Sequence, residues 1–67
     1  MQILKEARKK MGYTQKEAAQ VCGIARYYYI KIEHGVNLPS VKLAKKIAKV
    51  FGFEWTAFFP DEPEEQQ

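Results

Sequence analysis

The sequence predicts an all-α fold, a compact bundle of short helices. Three observations carry that expectation. Apolar residues recur at spacings of three and four in successive segments. A glycine follows each segment, at Gly12, Gly23, Gly35 and Gly52, and glycine is the favoured residue just past a helix end. Thr14 and Ser40, both good N-cap types, stand at the start of two of them. The Arg26–Ile32 stretch is rich in tyrosine and isoleucine, as strands are, but its glycine-bounded neighbours argue helix.

The first helix is expected over residues 2–11, with Ile3, Leu4, Ala7 and Met11 on one face and Lys5, Lys9 and Lys10 elsewhere. Gly12 stops it. Thr14-Gln15-Lys16-Glu17 has the form of a capping box, in which hydroxyl and carboxylate satisfy two helix N–H groups reciprocally. The second helix then runs to about Cys22, with Ala18, Ala19 and Cys22 inward. Its alanines let another helix approach closely. Gly23 suits a left-handed turn. The third helix is expected from Ala25 to about His34, with Ile24, Tyr29 and Ile32 in the core. Gly35 ends it, and Pro39 bars continuation through the loop that follows. Ser40 caps a fourth helix over residues 41–51, whose buried stripe reads Val41, Ala44, Ile47, Ala48 and Phe51. Glu54–Phe59 reads as one or two further turns carrying Trp55, Phe58 and Phe59. The acidic, proline-containing stretch 60–67 reads as a disordered tail, which leaves residues 1–59 as the single domain.

Size and charge narrow the function. A chain of 67 residues holds one domain. One cysteine, Cys22, makes no internal disulfide, and with one histidine, His34, it makes a zinc site a poor expectation. No cofactor or metal is expected. Neither a membrane span nor a signal-peptide pattern is expected, which suits a cytoplasmic protein. Eleven Lys and Arg oppose only Glu6, Glu17 and Glu33 before residue 54, so residues 1–53 carry a formal +8. Glu54, Asp61, Glu62, Glu64 and Glu65 give the last fourteen residues −5, leaving the net +3. A small domain at +8 calls for a polyanion partner or is a solvated lysine-rich surface.

A capped helix, a short glycine turn and a second helix are the layout of a helix-turn-helix, here over about residues 14–34. Thr14-Gln15, Glu17, Ala19, Gly23, Ile24, the run Lys31-Ile32-Glu33-His34-Gly35 and Pro39-Ser40 agree along one alignment over about residues 3–59. On those residues the chain resembles the phage repressor/Cro-type, or XRE, family of helix-turn-helix proteins. The resemblance implies a lambda-repressor-like bundle of five short helices, with helix three in the major groove of double-stranded DNA and helix two across the backbone.

Carried over position by position, the resemblance implies that Gln15 contacts phosphate at the start of helix two. Ala25, Arg26, Tyr27 and Tyr28 stand at the base-reading start of helix three, with Lys31 one turn later. His34 and Asn37 fall where the family meets the backbone. Arg8 and Glu33 match a partly buried structural ion pair. Ala18 stands where the family often has leucine and Tyr29 where it has an aliphatic residue, so the tyrosine is expected to fill the space the alanine leaves. Ala25 replaces the usual hydroxyl cap of helix three, a loss of about 0.5–2 kcal/mol. Tyr27-Tyr28 replaces a small polar pair. Leu38, Trp55, Phe58 and Phe59 either close the core or form a homodimer contact.

The resulting expectation is a sequence-specific DNA-binding transcriptional regulator of prokaryotic or phage origin. It acts as a repressor that binds a palindromic operator as a homodimer. Two other readings share the fold. One is a DNA-binding antitoxin with a toxin protein as partner. The other is a protein-interaction module that has lost DNA binding, suggested by the tyrosine run and the apolar C-terminal end. An enzyme is not expected. The only serine, Ser40, serves as a cap, and no Cys–His pair with an orienting group, phosphate-cradling glycine loop or convincing carboxylate pair is present.

Overall fold

The computed structural model describes residues 1–59. It places four α-helices in order, α1 (Gln2–Lys10), α2 (Gln15–Cys22), α3 (Arg26–Glu33) and α4 (Val41–Phe51), followed by a 3₁₀ turn at Trp55–Phe58. The all-α class stands. The expected fifth helix is only that single 3₁₀ turn. The acidic stretch 60–67 lies outside the described residues.

The caps explain the boundaries. The Thr14 hydroxyl accepts from the Glu17 N–H at 3.1 Å while the Glu17 carboxylate accepts from the Thr14 N–H at 2.9 Å, so the capping box is complete. The Ser40 hydroxyl accepts from the Leu43 N–H at 3.1 Å. Gly23 adopts φ 72°, a region that costs glycine nothing and other residues strain. A Cβ there would also meet Lys46 Nζ at 3.1 Å. The chain thus turns from α2 into α3 with only Ile24 and Ala25 between the left-handed residue and the next helix.

Leu4 of α1, Ala18, Ala19 and Cys22 of α2, Tyr29 and Ile32 of α3, and Ala44, Ile47 and Phe51 of α4 form one buried cluster. Ala18 and Tyr29 are both fully buried, and the large ring and the small methyl belong to the same core. Burial pushes the Cys22 thiol pKa up, which suits an unreactive core thiol. The 3₁₀ turn packs its aromatics onto α4. Phe58 meets Phe53 at 5.5 Å between ring centroids, and Tyr13 meets Phe51 edge-on at 6.1 Å.

Three positions depart from the expected stripes. Val41 is 49% exposed, because it is the first residue of α4 and extends past the helices that cover the rest of its stripe. Ile3 and Met11 are also exposed. They line an open groove of about 410 Å³ beside Phe51 and Phe53 and are only partly covered. Periodicity assigns a face, but it does not say how far along the helix the covering layer reaches.

Candidate nucleic-acid interface

Helix α3 is anchored on one side and open on the other. Tyr29, Ile32 and Glu33 are buried, whereas Arg26 and Tyr27 are exposed and Lys31 is half-buried. Tyr28 is half-buried and packs against the core. The outer face therefore carries a guanidinium, an aromatic ring and an ammonium within about two turns. Lys31 Nζ lies 4.4 Å from the centroid of the Tyr27 ring. Ala25 is the N-cap of α3 and its side chain makes no capping bond, so the first-turn N–H groups of the helix are left for water or for an anion.

Below that face lies a polar cluster centred on Glu33. Arg8 Nε donates to Glu33 Oε2 at 2.7 Å and its terminal nitrogen donates to Oε1 at 3.1 Å. Arg8 also donates to the Tyr13 carbonyl at 2.9 Å. The Tyr29 hydroxyl donates to Oε2 at 2.8 Å and the Gln15 amide donates to Oε1 at 3.0 Å. The Met1 ammonium donates to the Glu33 backbone carbonyl. A buried carboxylate is tolerable only when its lone pairs are used, and here each oxygen accepts two bonds. Burial pushes the Glu33 carboxyl pKa up, but the bonds from Arg8, Gln15 and Tyr29 outweigh it, and the group sits below its ordinary value. The bond to Glu33 outweighs burial in turn at Arg8, whose pKa is raised. Burial first, and the Glu33 bond second, push the Tyr29 phenol far up.

The structure puts the remaining residues named from the sequence in mixed settings. Gln15 is half-buried and its amide nitrogen is spent on Glu33, so a phosphate reaching that nitrogen competes with an internal bond. His34 is exposed at the C-terminal end of α3. Asn37 is half-buried, and its N–H donates to the Lys31 carbonyl at 3.3 Å. Trp55 and Phe59 are half-buried and meet edge-on at 6.1 Å. Phe58 is only 3% exposed; it closes the core and offers no surface to a second chain. Two contacts were not foreseen, the Tyr29 hydroxyl and the Gln15 amide on Glu33. The first had a signal: a tyrosine at a core position needs a partner for its hydroxyl, and Glu33 stands four residues on.

Among the described residues, no three His, Cys, Asp or Glu side chains gather to hold a metal, and no helix is long and apolar enough to cross a membrane. Two open grooves among the described residues, one beside α1 and one around Cys22 and Lys46, have no histidine in their linings.

A helix-turn-helix family model matches residues 4–58. The chain belongs to the helix-turn-helix family. This helix-turn-helix chain is 48% identical over 58 residues to YqaF, an uncharacterized HTH-type transcriptional regulator of Bacillus subtilis (strain 168), across 87% of this chain and 76% of that protein. It is 42% identical over 62 residues to the uncharacterized HTH-type regulator MJ0272 of Methanocaldococcus jannaschii, across 92% and 94% of the two chains. It is also 32% identical over 66 residues to the HTH-type transcriptional regulator PuuR of Escherichia coli (strain K12), across 96% of this chain but 36% of PuuR. No solved structure gives a significant match. The family is one of XRE-type DNA-binding transcriptional regulators, and α2, the Gly23 turn and α3 are its helix-turn-helix.

Proposed function

We propose that this helix-turn-helix chain is a transcriptional repressor that binds a palindromic operator as a homodimer, in the cytoplasm of a prokaryotic cell or during phage infection. The domain that does so is residues 1–59. One observation carries the reading: Arg26, Tyr27 and Lys31 stand on the outer face of a helix whose opposite face is fixed in the core. Arg26 donates to guanine O6 and N7, a contact that discriminates by about 1–3 kcal/mol. The open N-terminus of α3, with Ala25 at its cap, takes a phosphate. Gln15, Tyr28, His34 and Asn37 flank that contact along the backbone.

The dimer surface we infer is Leu38, Val41, Trp55 and Phe59. Leu38 is 68% exposed. Val41 and Lys45 stand one turn apart on α4, and Lys45 Nζ lies 5.1 Å from the Trp55 ring. Repression follows from occupancy of the operator by the dimer.

In vitro selection from random duplex DNA, followed by titration of the winner at two salt concentrations, tests this. An inverted repeat with half-site centres about 10–11 bp apart is the expected result. Steep salt dependence without an enriched sequence would reduce the function to non-specific electrostatic binding. No retention at low salt would refute DNA binding and favour a protein partner, such as a toxin.

A further inference from the structure

We propose that Tyr27 is the positioning residue for Lys31: its ring face holds the ammonium on the outer side of α3, and the pair meets a guanine as one unit. Lys31 is the donor to the base, and Tyr27 acts through its ring, not its hydroxyl. The inference rests on the DNA-binding reading above and adds a division of labour within the reading face.

The ammonium of Lys31 lies 4.4 Å from the centre of the Tyr27 ring, well inside the reach of a cation–π contact. The two residues are four apart on α3, so they share a face. Tyr27 is 69% exposed, which means core packing does not account for where its ring lies. Lys31, in contrast, is half-buried, whereas the other lysines are exposed. Its main chain is fixed as well, because its carbonyl accepts from the N–H groups of Val36 at 2.9 Å and Asn37 at 3.3 Å. Both ends of the side chain are thus held.

What holds the tip matters chemically. Among the described residues the one ion pair is Arg8 with Glu33, so none of their carboxylates restrains Lys31. A carboxylate would cancel the charge that DNA attracts. A ring face restrains the ammonium and leaves its charge and N–H donors available. A free lysine loses rotamer freedom when it settles on a base edge; one already parked on a ring loses less. Guanine, with acceptors at O6 and N7, is the base edge that suits such a donor.

The test uses Tyr27→Phe, Tyr27→Leu, Lys31→Ala and the Tyr27→Leu/Lys31→Ala double variant, each titrated against the selected operator at one salt concentration. Tyr27→Phe is expected to bind within about twofold of wild type, since the ring face remains. Tyr27→Leu is expected to weaken binding about two- to fivefold when Lys31 is present, with relaxed preference at one G·C pair. On the Lys31→Ala background the same change is expected to do nothing. In the free protein, the Lys31 ε-methylene protons should show an upfield ring-current shift that Tyr27→Leu abolishes and Tyr27→Phe keeps. A Tyr27→Phe loss equal to that of Tyr27→Leu would overturn the proposal by showing that the hydroxyl touches DNA. So would additive losses in the double variant, or the absence of the ring-current shift in wild type. A wild-type chain that retains no duplex overturns the DNA-binding reading, and this inference with it. The shift measured without DNA tells that failure apart from a wrong Tyr27–Lys31 geometry.

Discussion

Replacing Tyr29 by phenylalanine removes a single oxygen from the centre of the molecule. The ring has 0% exposure, and its hydroxyl donates to Glu33 Oε2 at 2.8 Å. A hydrogen bond to a charged group contributes about 1.5–3 kcal/mol. Glu33 keeps Arg8 and Gln15 in the variant, so no buried charge is orphaned, and the phenyl ring leaves no large cavity. Phenylalanine is also cheaper to bury than tyrosine, which favours the lower part of the range, about 1.5–2 kcal/mol. A domain of this size is held by roughly 3–10 kcal/mol. The expected fall in Tm is therefore about 6–16 °C.

The same variant has a pH signature. The phenol of Tyr29 sits far above its ordinary value of 10.0 in the folded chain, whereas the unfolded chain releases that proton near 10. Its contribution is complete below about pH 10. It declines as pH rises further, by about 1.4 kcal/mol per unit, until the folded chain titrates too. Phenylalanine has no such limb, so the two stability curves should converge above pH 10. Urea unfolding followed by far-ultraviolet circular dichroism of the helices from pH 7 to pH 11 reads both effects. A variant within about 0.5 kcal/mol of wild type at pH 7, or curves that run parallel to pH 11, would refute the reasoning.

Glu33→Gln leaves Arg8 buried without its counter-charge and should cost about 3–5 kcal/mol, most of the stability of so small a domain; urea unfolding at neutral pH measures it. Because the folded Glu33 carboxyl lies below its ordinary value of 4.5, its contribution is present above that pH and fades as pH falls through the folded value, so the acid limb of wild type should be steeper than that of Glu33→Gln. Thr14→Ala removes the hydroxyl that accepts from Glu17 and should cost about 1 kcal/mol in thermal unfolding. Leu38→Asp should leave Tm nearly unchanged, because Leu38 is exposed, and should shift the operator complex from dimer to monomer in analytical ultracentrifugation; a dimer of unaltered strength would remove Leu38 from the interface.

The helices were legible because their signals are local. Thr14, Ser40 and the following glycines mark where each begins and ends, and the structure agrees to within a residue or two. Positions decided by a distant neighbour were less legible. Ile3, Met11 and Val41 obey the apolar period yet are left about half exposed. Phe58 looked like the other aromatics near it, but the 3₁₀ turn rotates it inward and leaves Trp55 and Phe59 partly outside. At the candidate interface the outer face of α3 followed from the position-by-position resemblance. The Gln15 amide did not, because Glu33 lies eighteen residues away in sequence and nothing local announces the contact.

The Glu33 side chain receives donors from α1, from the first residue of α2 and from within α3 itself. These three helices therefore share one electrostatic knot. The 3₁₀ turn, in contrast, is tied to the rest of the molecule by apolar and aromatic contacts. A knot of this kind resists opening piece by piece, because releasing α1 or α3 strands a buried charge and releasing α2 takes the Gln15 donor from a buried carboxylate oxygen. It follows that α1, α2 and α3 form one cooperative folding unit, with matching amide-exchange free energies close to that of global unfolding, while the Trp55–Phe58 turn frays at lower cost. The reading head would then be present whole or not at all, and a partly unfolded chain would have no residual affinity for an operator.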